Sequence, residues 1–222
     1  MSDLELLGRR AWLLSTGFAL LSGHALGQAP PPSCTRISIA PEAVPATRQL
    51  RYRVRGTLGF LPLFADGDLF WRHKKGSYEA RLVVDAGLLG ARVRISTGTI
   101  TPEGLQPLRY TDRSRNDRDT EFDWPRAEAR LGRGGTTPLT AGTQDLVSLY
   151  IQLACLFAAD AASPGLPVNV PLPLAVLGNG KAVEHWRLLI QGEETLDLPG
   201  GKLLTRKLLR LPEPGDDLGA EL

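Results

Sequence analysis

Few side chains in this 222-residue sequence can do chemistry, and their spacing limits what that chemistry can be. Beyond the first thirty residues the histidines are His73 and His185. His73 stands beside Lys74 and Lys75, the setting of an exposed turn. His185 lies between Glu184 and Trp186, and strand alternation puts it on the face opposite both, towards a pocket or solvent. It is the one candidate base for a hydrolytic site. A nucleophile, however, needs a base that is itself oriented by an acid, and a hydroxyl presented on a strained turn. No Gly-x-Ser-x-Gly phrase supplies that turn. Three histidines and two cysteines, scattered along the chain, offer no zinc ligand set, so neither a metal nor a cofactor is expected. Adjacent carboxylates such as Glu193-Glu194 and Asp216-Asp217 point to opposite faces of a strand and cannot share one substrate. The expectation is a protein that is not an enzyme.

Binding chemistry is better represented. Arg109, Arg113, Arg115 and Arg118 crowd one stretch, relieved by Asp112 and Asp117. Guanidinium forks pair well with oxyanions, so the sharp reading is a grip on an acidic ligand or phosphate. The plain reading is the solvated face of two strands and their turn, with internal ion pairs. Arginine dominates the basic residues everywhere in this chain, which weakens any argument from local enrichment. Gly132-Arg133-Gly134-Gly135 can cradle an anion but lacks the Lys-Ser/Thr of a phosphate-binding loop. Arg109, Arg113, Arg115, Asp145 and His185 are the candidate ligand or partner contacts. With 26 Lys+Arg against 24 Asp+Glu, the net charge of +2 leaves no basic footprint for nucleic acid.

The elements that must position these residues are short strands. Residues 50–55 alternate apolar and arginine, 78–84 alternate again, and 91–95 repeat the apolar/arginine pattern. Further strands are expected at 68–72, 105–114, 120–124 and 127–131, followed by a flexible stretch at 132–135. Strands resume at 183–191 and 202–211 around the hairpin turn Leu198-Pro199-Gly200-Gly201. Gly (24) and Pro (17) are abundant, as a meander rich in turns requires. One segment differs. Residues 146–159 are apolar almost all round with no Gly or Pro, which predicts a helix buried on most faces, the plug of a curved sheet. Thr143 is its expected cap, with Asp145 in the first turn.

The N-terminus reads as an address. Arg9-Arg10 precedes an apolar run over 11–21, too short to span a membrane, and Ala25-Leu26-Gly27 offers small residues for cleavage. The expected organisation is a signal peptide over 1–27, a flexible segment over 28–48 and a single β-rich domain over 49–222. Arg9-Arg10-Ala11-Trp12-Leu13 resembles a twin-arginine signal, and both export routes stay open. An oxidising compartment permits a Cys34–Cys155 bridge, while an apolar helix suits a reduced, buried Cys155.

Several phrases then fall into a familiar order: Ser96-Thr97-Gly98 with Thr101-Pro102-Glu103-Gly104, Tyr110-Thr111-Asp112-Arg113, Phe122-Asp123-Trp124, Gly142-Thr143-Gln144-Asp145-Leu146 and Gly192-Glu193-Glu194 with Pro199-Gly200-Gly201. Together they resemble the bacterial exported domain-of-unknown-function family 3108, over roughly residues 50–211. The resemblance implies a mainly β fold, a single highly curved antiparallel sheet (an open or half β-barrel) packed on one long apolar helix, and an envelope location. It carries over no catalytic residue. Members continue into a further strand, so this chain is expected either to lack it or to leave a sheet edge open. The resulting expectation is a non-enzymatic periplasmic protein that binds an apolar or lipid-like envelope ligand, without a membrane span. The alternatives are an assembly factor holding an envelope protein and a hydrolase of envelope polymers.

Overall fold

Alternating sequence and tight turns build the first sheet strand by strand. The computed structural model describes residues 41–58, 61–87, 90–113, 117–162, 166, 168–178, 182–198, 200–212 and 220–221. The expected signal peptide, Cys34 and Arg115 lie outside them. Eight strands follow one another as neighbours: β1 (Arg48–Leu58), β2 (Leu61–Lys74), β3 (Ser77–Asp85), β4 (Ala91–Thr101), β5 (Gly104–Arg113), β6 (Arg118–Asp123), β7 (Glu128–Arg130) and β8 (Thr136–Pro138). Every adjacent pair is antiparallel. The β2–β3 turn shows why: Lys75 and Gly76 both take positive φ, 51° and 77°, the twist that suits a two-residue hairpin. The sheet curls into a half-barrel, as expected.

A second sheet was not expected. Its order is β13 (Ala220–Glu221), β12 (Gly201–Leu211), β11 (Glu184–Leu198), β10 (Pro171–Leu177) and β9 (Gln144–Asp145). The single antiparallel sheet is therefore corrected to two sheets, and β9 pairs with β10 in parallel. Parallel neighbours need a crossover, and the helix α1 (Ser148–Ala162) is that crossover. The β11 and β12 strands pair up to Leu198 and Gly201, the ends of the predicted turn, and β13 pairs with Leu209 and Arg210 of β12.

The helix begins two residues later than predicted, and its cap is Asp145 instead of Thr143. Asp145 Oδ1 accepts the N–H groups of Val147 and Ser148, both at 2.8 Å, while Ser148 Oγ accepts the Asp145 N–H at 2.9 Å. That is a reciprocal capping box. Thr143 instead donates to the Thr140 carbonyl at 2.7 Å, closing the preceding turn. Two stripes leave α1. Val147, Ile151 and Cys155 join the core of the first sheet with Trp71, Tyr78, Leu82, Tyr110 and Phe122. Leu149, Leu153 and Leu156 join a second core with Leu172, Leu188, Ile190 and Leu208. The helix is not apolar all round: Tyr150 is exposed, and the buried Asp160 is ion-paired with Arg206.

A polar joint ties α1 to the first sheet. The Leu105 N–H donates to Gln152 Oε1 of α1, and the Leu105 carbonyl accepts from Gln144 Nε2 of β9, each at 2.8 Å. Gly104 makes room for it; a Cβ there would stand 2.5 Å from the Gln152 amide. The segment expected to be loose is tied down at its end, with Ala43 buried and the Pro45 carbonyl accepting from Trp71 Nε1 at 2.7 Å. Cys155 is a buried free thiol, pushed up to about 11 by burial. No helix among the described residues is long and apolar enough to cross a membrane.

Candidate functional site

Residues opposite one another in a ladder share a face, so register alone sorts the arginines of the half-barrel. The inner face, where the core lies, carries Tyr78, Ala80 and Leu82 on β3, then Ser96 and Gly98 on β4, then Tyr110 and Asp112 on β5. Arg94 stands opposite Asp112, and Asp112 stands opposite Arg118 of β6. One row across three strands therefore reads Arg94–Asp112–Arg118. The next row reads Ser96–Tyr110–Thr120.

Arg92 and Arg94 are on the inner face, in phase with buried Ser96 and Gly98, while Val93 and Ile95 take the outer face. The usable signal was the small pair. A Cβ at Gly98 would lie 2.2 Å from the Gln106 carbonyl and 2.8 Å from the Tyr78 ring, so that face must lie against something.

Asp112, with its side chain 2% exposed, is the counter-ion of the row. Arg92 binds it through both nitrogens of a fork, Nε at 2.8 Å and Nη2 at 2.5 Å, and Arg94 Nε is 3.7 Å away. The Asp112 hydrogen bond holds the Arg92 guanidinium firmly protonated. Arg118 makes no ion pair among the described residues, and its Nε is buried without a hydrogen-bond partner. The Tyr110 hydroxyl is also buried without a partner, and burial raises the phenol above its ordinary range, so it remains a donor.

The two residues line one cavity of 410 Å³, formed by Tyr110, Arg118 and Thr120 from the sheet, the loop 131–136, and Gly178. The glycine-rich stretch expected to be flexible is a closed hairpin loop: Gly134 N–H donates to the Leu131 carbonyl at 2.8 Å and Leu131 N–H to the Gly135 carbonyl at 3.0 Å. Gly134 and Gly135 take φ of 86° and 87°, and a Cβ at Gly132 would lie 2.5 Å from the Asp119 carbonyl. Glycine is required there for shape, and it holds Arg133 at the cavity wall.

The predicted contacts are not brought together. Arg109 and Arg113 are exposed on the outer face, where Arg109 pairs with Asp119 at 2.6 Å. Thr111 and Arg109 hold the Asp119 carboxyl below the usual carboxylate range. This is the plain, solvated reading of the arginine stretch, with Arg118 turned inward as its exception. Asp145 is fully buried, so it is corrected from a ligand contact to the cap of α1. Ser96 Oγ donates to its Oδ2 at 2.5 Å, Tyr78 Oη lies 3.0 Å from Ser96 Oγ, and burial raises its pKa against those hydrogen bonds. His185 is exposed on β11 opposite Ala175, with no hydrogen bond among the described residues to orient it as a base. No cluster of three metal-ligating side chains occurs among the described residues. No family model, curated protein or solved structure matches the chain.

Proposed function

We propose that the protein is an exported, non-enzymatic binding module of the periplasm that carries an apolar or lipid-like ligand against the inner face of its half-barrel. The observation carrying this reading is apolar surface left open on that face. Leu50 and Tyr52 of β1 stand opposite Leu69 and Gly67, on the core side of the sheet, yet they are 48% and 40% exposed. Tyr150 of α1, 39% exposed, is a near neighbour of Tyr52; burial first and Tyr150 second raise the Tyr52 phenol. The Tyr52 ring occupies the space a Cβ on Gly67 would need, 2.3 Å away, so the aromatic lies flat along the sheet. Inward-facing apolar side chains without cover are the usual lining of a small-molecule groove.

In this reading the curled sheet packs on α1 as a plug, which fills part of the inner face and leaves the β1 side to the ligand. The N-terminal address read from the sequence supports the envelope location. The test is native mass spectrometry after mild purification. A carrier yields a protein–ligand mass that falls to the bare polypeptide on organic extraction, with a lipid in the extract. Recovery of only the bare mass from cells that make the protein in its own compartment would overturn the reading.

A second reading, an assembly factor for an envelope protein, is favoured by the β11–β12 hairpin. Leu196 and Leu203 are cross-strand partners, both exposed, and Leu198 shares their face near the turn. In-cell cross-linking should then give a discrete partner that is lost with Leu196→Ser and Leu203→Ser.

A further inference from the structure

The cavity beside the β7–β8 loop differs in charge from the rest of the open inner face. Two arginines, Arg118 and Arg133, line it, with Tyr110, Thr120 and Thr136, and no carboxylate lines it among the described residues. The nearest acid in register, Asp112, is turned to Arg92 and Arg94. The Arg118 Nε is buried with no hydrogen-bond partner among the described residues, so the fold gains from a ligand that pairs with that guanidinium. By contrast, the groove on the outer face formed by Arg109, Glu121, Asp123 and Arg130 balances two arginines with two acids.

We infer that this cavity is an oxyanion subsite, in which Arg118 and Arg133 pair with a carboxylate or phosphate headgroup, so that the ligand is an acidic amphiphile. The inference rests on the carrier reading and names the class of ligand for it. The volume of 410 Å³ falls within the ~300–1,000 Å³ common to small-ligand sites, room for a headgroup and the first part of a chain. Guanidinium forks favour planar or tetrahedral oxyanions over neutral polar groups. Thr120, buried between Tyr110 and the strand edge, supplies a hydroxyl that either donates or accepts.

The test is calorimetric titration of the full mature chain, below micelle-forming concentrations, with dodecyl phosphate, dodecanoate, uncharged dodecyl maltoside and inorganic phosphate. The subsite predicts that the two charged amphiphiles bind at least about tenfold tighter than the maltoside, the scale of one charge-assisted hydrogen bond. Arg118→Gln brings them down to the maltoside level, Arg133→Gln weakens them severalfold, and Arg126→Gln, on an outer turn, changes nothing. Should Arg118→Gln fail to fold, Arg133→Gln, on the exposed loop, carries the test. Equal binding of charged and neutral amphiphiles, or charged binding unaffected by both variants, overturns the subsite and leaves the carrier reading standing. Binding of no amphiphile overturns both. Inorganic phosphate binding as tightly as dodecyl phosphate keeps the subsite and assigns it to a free anion, with the carrier reading then losing its support.

Discussion

Strands β4 to β6 carry arginines on both faces, in two electrostatic settings. On the outer face and just beyond it three arginines meet carboxylates in water: Arg109 of β5 with Asp119 at 2.6 Å, Arg126 of the turn after β6 with Asp123 at 2.9 Å, and Arg130 of β7 with Glu121 at 3.6 Å. These side chains are largely exposed, and such pairs contribute ~0–1 kcal/mol each after screening. On the inner face, the buried Asp112 holds the part-exposed Arg92 and Arg94, and the Arg118 Nε is buried with no hydrogen-bond partner among the described residues. The comparison teaches that arginine density alone does not separate a solvated ladder from a buried charged row. Register between the strands does.

The largest expected effect comes from breaking the inner row. Asp112→Asn should cost ~3 kcal/mol in urea unfolding, because a buried carboxylate gives up its fork to Arg92, whose half-exposed cation water partly compensates; a loss under 1 kcal/mol would mean that the inner face is as wet as the outer. Asp145→Ala comes next, at ~2 kcal/mol, from a lost cap and the lost Ser96 hydrogen bond. Its pH dependence has a definite sign. Burial raises the Asp145 pKa in the folded protein, so the wild-type contribution is complete below the unfolded value of 3.8 and is lost as pH rises through the folded value. The difference between wild type and Asp145→Ala should therefore shrink from pH 4 to pH 8, and a difference that grows with pH would contradict the assignment.

Arg118→Gln is expected to change stability by less than ~1 kcal/mol in either direction, since it removes a cation that makes no ion pair among the described residues. Its measurable loss belongs to ligand binding. Smallest of all is the outer ladder: Asp119→Asn should cost less than ~1 kcal/mol. Its folded pKa is lowered, so that contribution is present above 3.8 and disappears as the pH falls through the lowered value, opposite in direction to Asp145. Thermal unfolding of both variants across pH 3–8 compares the two faces directly.

Alternation and turns made the meander readable, since period-two segments ending in Lys75-Gly76 or Pro199-Gly200 permit little else. Alternation does not say which face is buried, so the apolar/arginine pattern of 91–95 leaves open that Arg92 and Arg94 face the core. The split of the arginine cluster, with Arg109 and Arg113 outward and Arg118 inward, depends on register between strands. The second sheet was hidden because its parallel pairing involves two residues of β9, too few to leave a periodicity. The glycine-rich loop was visible as an anion cradle in the sequence. Only the fold set Tyr110 and Arg118 behind it.

Both backbone groups of Leu105 are held by glutamine side chains, Gln152 from the helix and Gln144 from the strand preceding it. The bond from its amide thus bridges the half-barrel and the crossover leading to the second sheet. Hydrogen exchange at that one amide is gated by Gln152 letting go, so its protection reads out how often the helix lifts from the half-barrel. A ligand that enters beneath α1 should slow or speed that single exchange rate before it alters any strand.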